Sequence, residues 1–123
     1  MVLRIAGATL ALGFLGVASL SAADPVSFTK QVMPIFAERC LACHSHEERF
    51  GGLSLDAYED VTDYITPGKP DESRLVIVVS GAKAKMPRGG PPLKAERIEI
   101  LRTWIEQGAK NDTPAAKPAG EGK

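Results

Sequence analysis

An all-α domain is what this sequence predicts, and three observations carry that expectation. Apolar residues recur at helical spacing near both ends of the region after residue 23. Glycine and proline clusters punctuate the chain between those stretches. The single β-branched run, within Leu75 to Val79, has no second run to pair with.

Each element follows in order. Residues 27–40 place Phe28, Val32, Ile35 and Phe36 on one face, and Ser27 can cap the start. Pro34 lacks an amide hydrogen and its ring clashes with the preceding turn, so a kink is expected there, or a regular helix beginning only near Met33. Residues 45–55 contain Gly51-Gly52 and read as loop. Asp56 is placed to cap a short helix running through Tyr58 and Val61, and Pro67-Gly68-Lys69-Pro70 is a turn cluster. Val-Ile-Val-Val alone favours a strand, but the preceding Pro-Asp-Glu-Ser reads as a helix start, so a short helix is expected over Leu75 to Val79. Gly89-Gly90-Pro91-Pro92 forces another loop. The clearest helix runs from about Leu93 to Gln107, with Ile98, Leu101, Trp104 and Ile105 as its apolar stripe and Gly108 as its stop.

The two ends read differently from the middle. Arg4, the charge-free apolar run Ile5 to Leu20 and the small residues Ser21-Ala22-Ala23 make residues 1–23 a signal peptide, followed by one domain over 24–109. The competing reading is an uncleaved anchor, for which Ile5 to Leu20 is shorter than the roughly 20 residues a span needs. With the leader removed no stable membrane insertion is expected, and export points to the periplasm. No cysteine ends the apolar run, which argues against a lipid-anchored form. Residues 110–123, rich in Ala, Pro, Gly and charge, read as a disordered tail.

The exported domain is short for a self-sufficient core and poor in large side chains: the whole chain has Trp 1, Tyr 2 and Phe 4, and Phe14 goes with the leader. A buried cofactor would fill the deficit. Formal charge is zero, with 15 Lys+Arg against 15 Asp+Glu, and nothing suggests nucleic acid. The charges are unevenly spread. Glu47, Glu48, Asp56, Glu59, Asp60 and Asp63 crowd one segment, and Lys83, Lys85, Arg88, Lys94 and Arg97 another, a dipolar pattern that can steer a charged partner or simply form solvated faces.

The chemistry sits in Cys40-Leu41-Ala42-Cys43-His44, the C-x-x-C-H pattern of covalent haem attachment. In that pattern two thiols bond the two vinyl groups of one porphyrin, and the following imidazole is held below the iron as proximal ligand. The second ring nitrogen of His44 is expected to donate to a backbone carbonyl. Other readings are weaker. A Cys40–Cys43 disulfide closes too short a loop to gain much, a redox dithiol needs a βαβ neighbourhood, and a zinc site built from Cys40, Cys43, His44 and His46 is too crowded for a tetrahedron.

For the sixth iron ligand, His46 stands too close to His44 to reach the opposite face, and Met33 lies upstream on the helix leading into the motif. Met86, in Lys85-Met86-Pro87, is the better candidate; the alternative is that it merely packs and leaves the iron five-coordinate.

Taken together these residues make the sequence resemble a class I cytochrome c of the small bacterial monohaem type, across about Phe28 to Ala109. The markers are the Cys-x-x-Cys-His motif after an amphipathic helix, Gly52-Leu53-x-Leu55-Asp56, Pro67-Gly68-x-Pro70-x-x-Ser73-x-Leu75, Met86-Pro87, and Trp104-Ile105-x-x-Gly108-Ala109. They are especially similar to planctomycete-type cytochrome c domains. Pro34 and Arg88-Gly89-Gly90 depart from the pattern. The resemblance implies three to five helices around one haem c, with the first and last helices crossing and Phe36 against the face of Leu101 and Trp104.

A His/Met-ligated iron has no open position for substrate, so the expected activity is single-electron transfer between redox protein partners, with no enzyme chemistry. Lys83, Lys85 and Arg88 flank Met86, and with Lys94 suit an acidic partner; Arg74, Arg88 and Tyr58 are candidate donors to the haem propionates. The alternative is a haem enzyme or gas-binding protein in which Met86 is absent from the iron or displaceable. A third reading, an electron-accepting subunit of a larger dehydrogenase, shares the chemistry and differs in the permanence of its partner.

Overall fold

The structure is a computed structural model that describes residues 24–114. The expected signal peptide, and the tail beyond Pro114, lie outside the described residues.

Ser27 opens the first helix as expected, its side chain accepting the Lys30 amide. One π-helical turn, Phe28–Val32, then runs directly into α1 (Met33–Arg39). The reason is Pro34, which stands in the first turn of α1. It has no hydrogen to give the turn behind it, and its ring would press on that turn's carbonyls. The wider register, in which the Met33 amide reaches back to the Phe28 carbonyl, relieves both problems. Regular α-helix starts at Met33.

A short 3₁₀ turn follows at Phe50–Gly52, with Gly51 at φ 71° and Gly52 at φ 77°, where a side chain would be strained. Three further helices complete the domain: α2 (Tyr58–Thr62), α3 (Arg74–Val79) and α4 (Ala95–Glu106). Among the described residues there is no strand, and one isolated bridge pairs His44 with Arg49. The fold is all-α.

Two local expectations need correction. Asp56 does not cap α2, which begins after Ala57 without a side-chain cap. Its carboxylate is engaged by His46 and Ser54 instead. Asp71 and Glu72 do not form the first turn of α3; with Pro70 they make a separate 3₁₀ turn. Ser73 ends that turn fully buried, its hydroxyl donating to the Lys69 carbonyl at 2.9 Å and accepting from the Thr66 amide at 2.9 Å. The Gly68 amide donates to the Ile105 carbonyl at 2.7 Å, so this turn braces the end of α4.

The core has an aromatic end. Phe28 stacks on Trp104 with ring centroids 5.3 Å apart, and Tyr58 meets Phe28 edge-on at 5.3 Å. Such pairs add about 0.5–1.5 kcal/mol beyond the area they bury. The first and last helices therefore meet through the π turn, and Phe28 is the ring stacked on Trp104. Phe36 is fully buried in the same cluster as Leu101.

Polar atoms at this end are paired. Trp104 Nε1 donates to the Lys110 carbonyl at 3.0 Å, and the Tyr58 hydroxyl donates to the Ala109 carbonyl at 2.7 Å. Gly108, at φ 102°, turns the chain out of α4 and lets the Ala109 amide donate to the Trp104 carbonyl at 2.8 Å. The first residues of the expected tail are held here too. Asp112 accepts from the Thr29 amide at 2.8 Å and from the Ser27 hydroxyl, satisfying the start of the first helix from the far end of the chain.

Candidate functional site

The Cys-x-x-Cys-His segment grows out of the end of α1. The Cys40 and Leu41 amides both reach the Phe36 carbonyl, at 2.8 and 2.9 Å, and the His44 amide donates to the Cys40 carbonyl at 2.9 Å. That turn-like path keeps Cys40, Cys43 and His44 on a short arc. The loop beyond closes back on the motif: the Phe50 amide donates to the Cys43 carbonyl at 2.9 Å and the Leu55 amide to the His44 carbonyl at 2.8 Å. His46 fastens the same loop, held by Asp56 through its ring Nδ1 and, at 2.8 Å, through its backbone amide. Its Nε2 lies 3.5 Å from Asp60. His46 is thus occupied away from the cavity.

Beside the motif lies a cavity of about 530 Å³, within the roughly 300–1,000 Å³ typical of cofactor sites. Cys40, Cys43, His44 and Met86 all face it, among the apolar side chains Ile35, Phe36, Leu93 and Leu101. A second cavity of about 190 Å³ shares Cys40, His44 and Met86 with the first and adds Leu55, Tyr64 and Arg74. The four residues singled out by sequence are therefore brought to one place, although Met86 is distant along the chain. Its position is set by α3, because the Lys85 and Met86 amides both donate to the Val78 carbonyl at 2.9 Å.

The cavity is chemically unfinished. Among the described residues the buried His44 Nδ1 has no hydrogen-bond partner, so the backbone acceptor expected for this ring is not found there. Phe50, on the cavity wall, leaves 59 % of its surface exposed, unusual for a phenylalanine in so small a domain. Burial pushes the Cys40 thiol up to about 11, against a smaller opposing pull from the Arg39 cation. Both cysteines are free. At neutral pH Cys40 is therefore a neutral thiol, which does not suit rapid disulfide exchange.

Of the three candidate propionate donors, Arg88 lines the larger cavity and Arg74 the smaller. Tyr58 is spoken for: its hydroxyl serves Ala109 in the aromatic cluster, and it lines neither cavity. Arg39, Tyr64 and Phe50 line the cavities and escaped the sequence reading. Position alone could have pointed to Arg39, directly before Cys40, and to Phe50, a large apolar residue set against two glycines.

Residues 40–89 match the family described as Planctomycete cytochrome C. The match supports a cytochrome c-type domain over these residues. No curated protein and no solved structure matches the chain. The matched residues run from the first cysteine of the motif past Met86, and so contain every residue placed at the iron by sequence. Such a domain implies haem, and the residues present fit one: an apolar chamber of suitable size, two thiols on its wall, and an imidazole with a buried, unpaired nitrogen. Among the described residues no helix is long and apolar enough to cross a membrane.

Proposed function

We propose that this protein is an exported, periplasmic monohaem cytochrome that passes single electrons between redox protein partners and catalyses no bond chemistry. The observation that carries the reading is the convergence of Cys40, Cys43, His44 and Met86 on one apolar cavity of about 530 Å³. Cys40 and Cys43 would hold one haem c through thioether bonds, and His44 and Met86 would supply its axial ligands. Haem bound in this way gains and loses one electron with little rearrangement. The chain's own contribution is to exclude water with Ile35, Phe36, Leu93 and Leu101, to fix His44 on a hydrogen-bonded arc, and to hang Met86 from Val78. Lys83, Lys85, Arg88 and Lys94 are all exposed and suit an acidic partner.

The test is a visible spectrum of protein matured with haem in the periplasm, oxidised, reduced, and reduced under carbon monoxide. Haem retained on a denaturing gel, a low-spin spectrum with the weak far-red band of methionine–iron ligation, and no response to the gas support an electron carrier. A high-spin spectrum that shifts with the gas removes Met86 from the iron and turns the assignment to catalysis or sensing. Absence of covalent haem defeats the reading altogether.

A further inference from the structure

Arg39 has no part in the assignment above, yet it links two walls of the site. It ends α1 immediately before Cys40, and its side chain lines the larger cavity with Met86 and Arg88. Its Nη2 donates to the carbonyl of Pro91, just beyond the methionine. The guanidinium also lies along the loop backbone, since a Cβ added to Gly90 would sit 3.5 Å from Nη2. Met86 is consequently fixed from two directions. Val78 holds its amide from α3, and Arg39 holds the outgoing strand of chain from α1. Between those anchors lies the exposed segment Arg88-Gly89-Gly90, with Gly89 at φ 77°. Two glycines make that segment costly to order, so an external anchor matters more here than in a stiffer loop.

We propose that Arg39 is a positioning residue for the sixth ligand: by holding Pro91 it keeps the Met86 loop against the cavity and so governs how firmly the thioether stays on the iron. The proposal rests on the His44/Met86 assignment. A thioether is a weak ligand, and its occupancy depends on a loop already in place. Losing one charge-assisted hydrogen bond to that loop should raise the methionine-off population about tenfold.

The experiment compares wild-type haem protein with Arg39→Ala, Arg39→Lys and Glu38→Gln. Glu38 is the control, because it pairs with Arg97 at 2.6 Å from the same helix end and lines neither cavity. The readouts are the rate of carbon monoxide binding to reduced protein, the pH at which the far-red band disappears, and amide exchange of Arg88 to Gly90. Expected for Arg39→Ala are about tenfold faster gas binding, band loss at lower pH and faster loop exchange, with covalent haem retained and Glu38→Gln like wild type. Raising salt to roughly 1 M, which screens charge beyond about 3 Å, should leave the difference intact. If Arg39→Ala yields no haem protein, Arg39→Lys carries the test, since its shorter, single-headed amine should give an intermediate loosening. Variants indistinguishable from wild type, or a difference abolished by salt, overturn the proposal. A wild type that lacks the far-red band and binds the gas at once defeats the Met86 assignment instead. Loop exchange then still reports whether Arg39 holds Pro91.

Discussion

The two ends of this small domain are built on opposite principles. At the aromatic end, Phe28, Tyr58 and Trp104 fill their own space, and both ring heteroatoms that need partners have them, at Ala109 and Lys110. At the motif end, apolar walls enclose a cavity of about 530 Å³, a buried imidazole nitrogen goes unpaired among the described residues, and Phe50 stands exposed. One end is a finished protein core. The other is a cavity whose lining a cofactor would complete. The difference teaches where stability resides: the aromatic end should hold by itself, and the motif end should hold only when loaded.

The largest expected effect tests that division directly. Cys40→Ser/Cys43→Ser protein cannot keep a covalent haem, and should lose cooperative unfolding and amide protection in α3 and around Met86. The aromatic end should retain a remnant, seen as Trp104 emission still shielded from water and slow exchange near Ala109. If Trp104 becomes fully solvated together with the rest, the two ends are one cooperative unit and the comparison breaks.

A smaller effect is expected from the opposite end. Trp104→Ala removes a fully buried ring stacked on Phe28 and should cost about 3–5 kcal/mol in denaturant unfolding of the haem-loaded protein. The haem spectrum of the molecules that remain folded should not change, because Trp104 lines neither cavity. A shift in the far-red band would show that the ends communicate through α4, with Leu101 as the obvious conduit since it is buried and also faces the cavity. Tyr58→Phe sharpens the same point. It keeps the edge-on packing against Phe28 but loses the bond to Ala109, for about 1 kcal/mol by the same measurement.

The two ends were also unequally legible in the sequence. That Cys40, Cys43, His44 and Met86 would share one cavity was legible because their residue types are chemically scarce and the motif's spacing is that of haem attachment. The last helix could be read from Leu101, Trp104 and Ile105, all of which are buried. The start of regular helix at Met33 followed from proline's missing hydrogen, but that the turn before it would widen to a π register did not, since a kink relieves the same proline clash equally well. Asp56 was misread because a capping aspartate and an aspartate recruited by His46 look alike until the loop has closed. Arg39 and Asp112 were invisible for a similar reason. Each acts on backbone groups far along the chain, Pro91 and Thr29, and backbone acceptors and donors leave no signature in a sequence.

Asp112 gives the smallest expected effect, and one whose sign can be worked out. Hydrogen bonds from the Ser27 hydroxyl and, next, the Thr29 amide hold its carboxyl below the usual carboxylate value. A carboxyl lowered in the folded state binds protons less readily than in the unfolded chain. Its stabilisation is therefore complete above the unfolded value of roughly 3.9 and fades as pH falls through the lower folded value. The group is exposed, so the effect is a modest one. Asp112→Asn should lower the melting temperature slightly at neutral pH, and the gap to wild type should close as both are taken towards pH 2. No gap at any pH would mean that amide and carboxylate hold Ser27 and Thr29 alike, and that shape rather than charge fastens the tail to the first helix. In either case the effect should leave the haem spectrum untouched, because Asp112 anchors the finished end of the molecule and the iron would sit in the other.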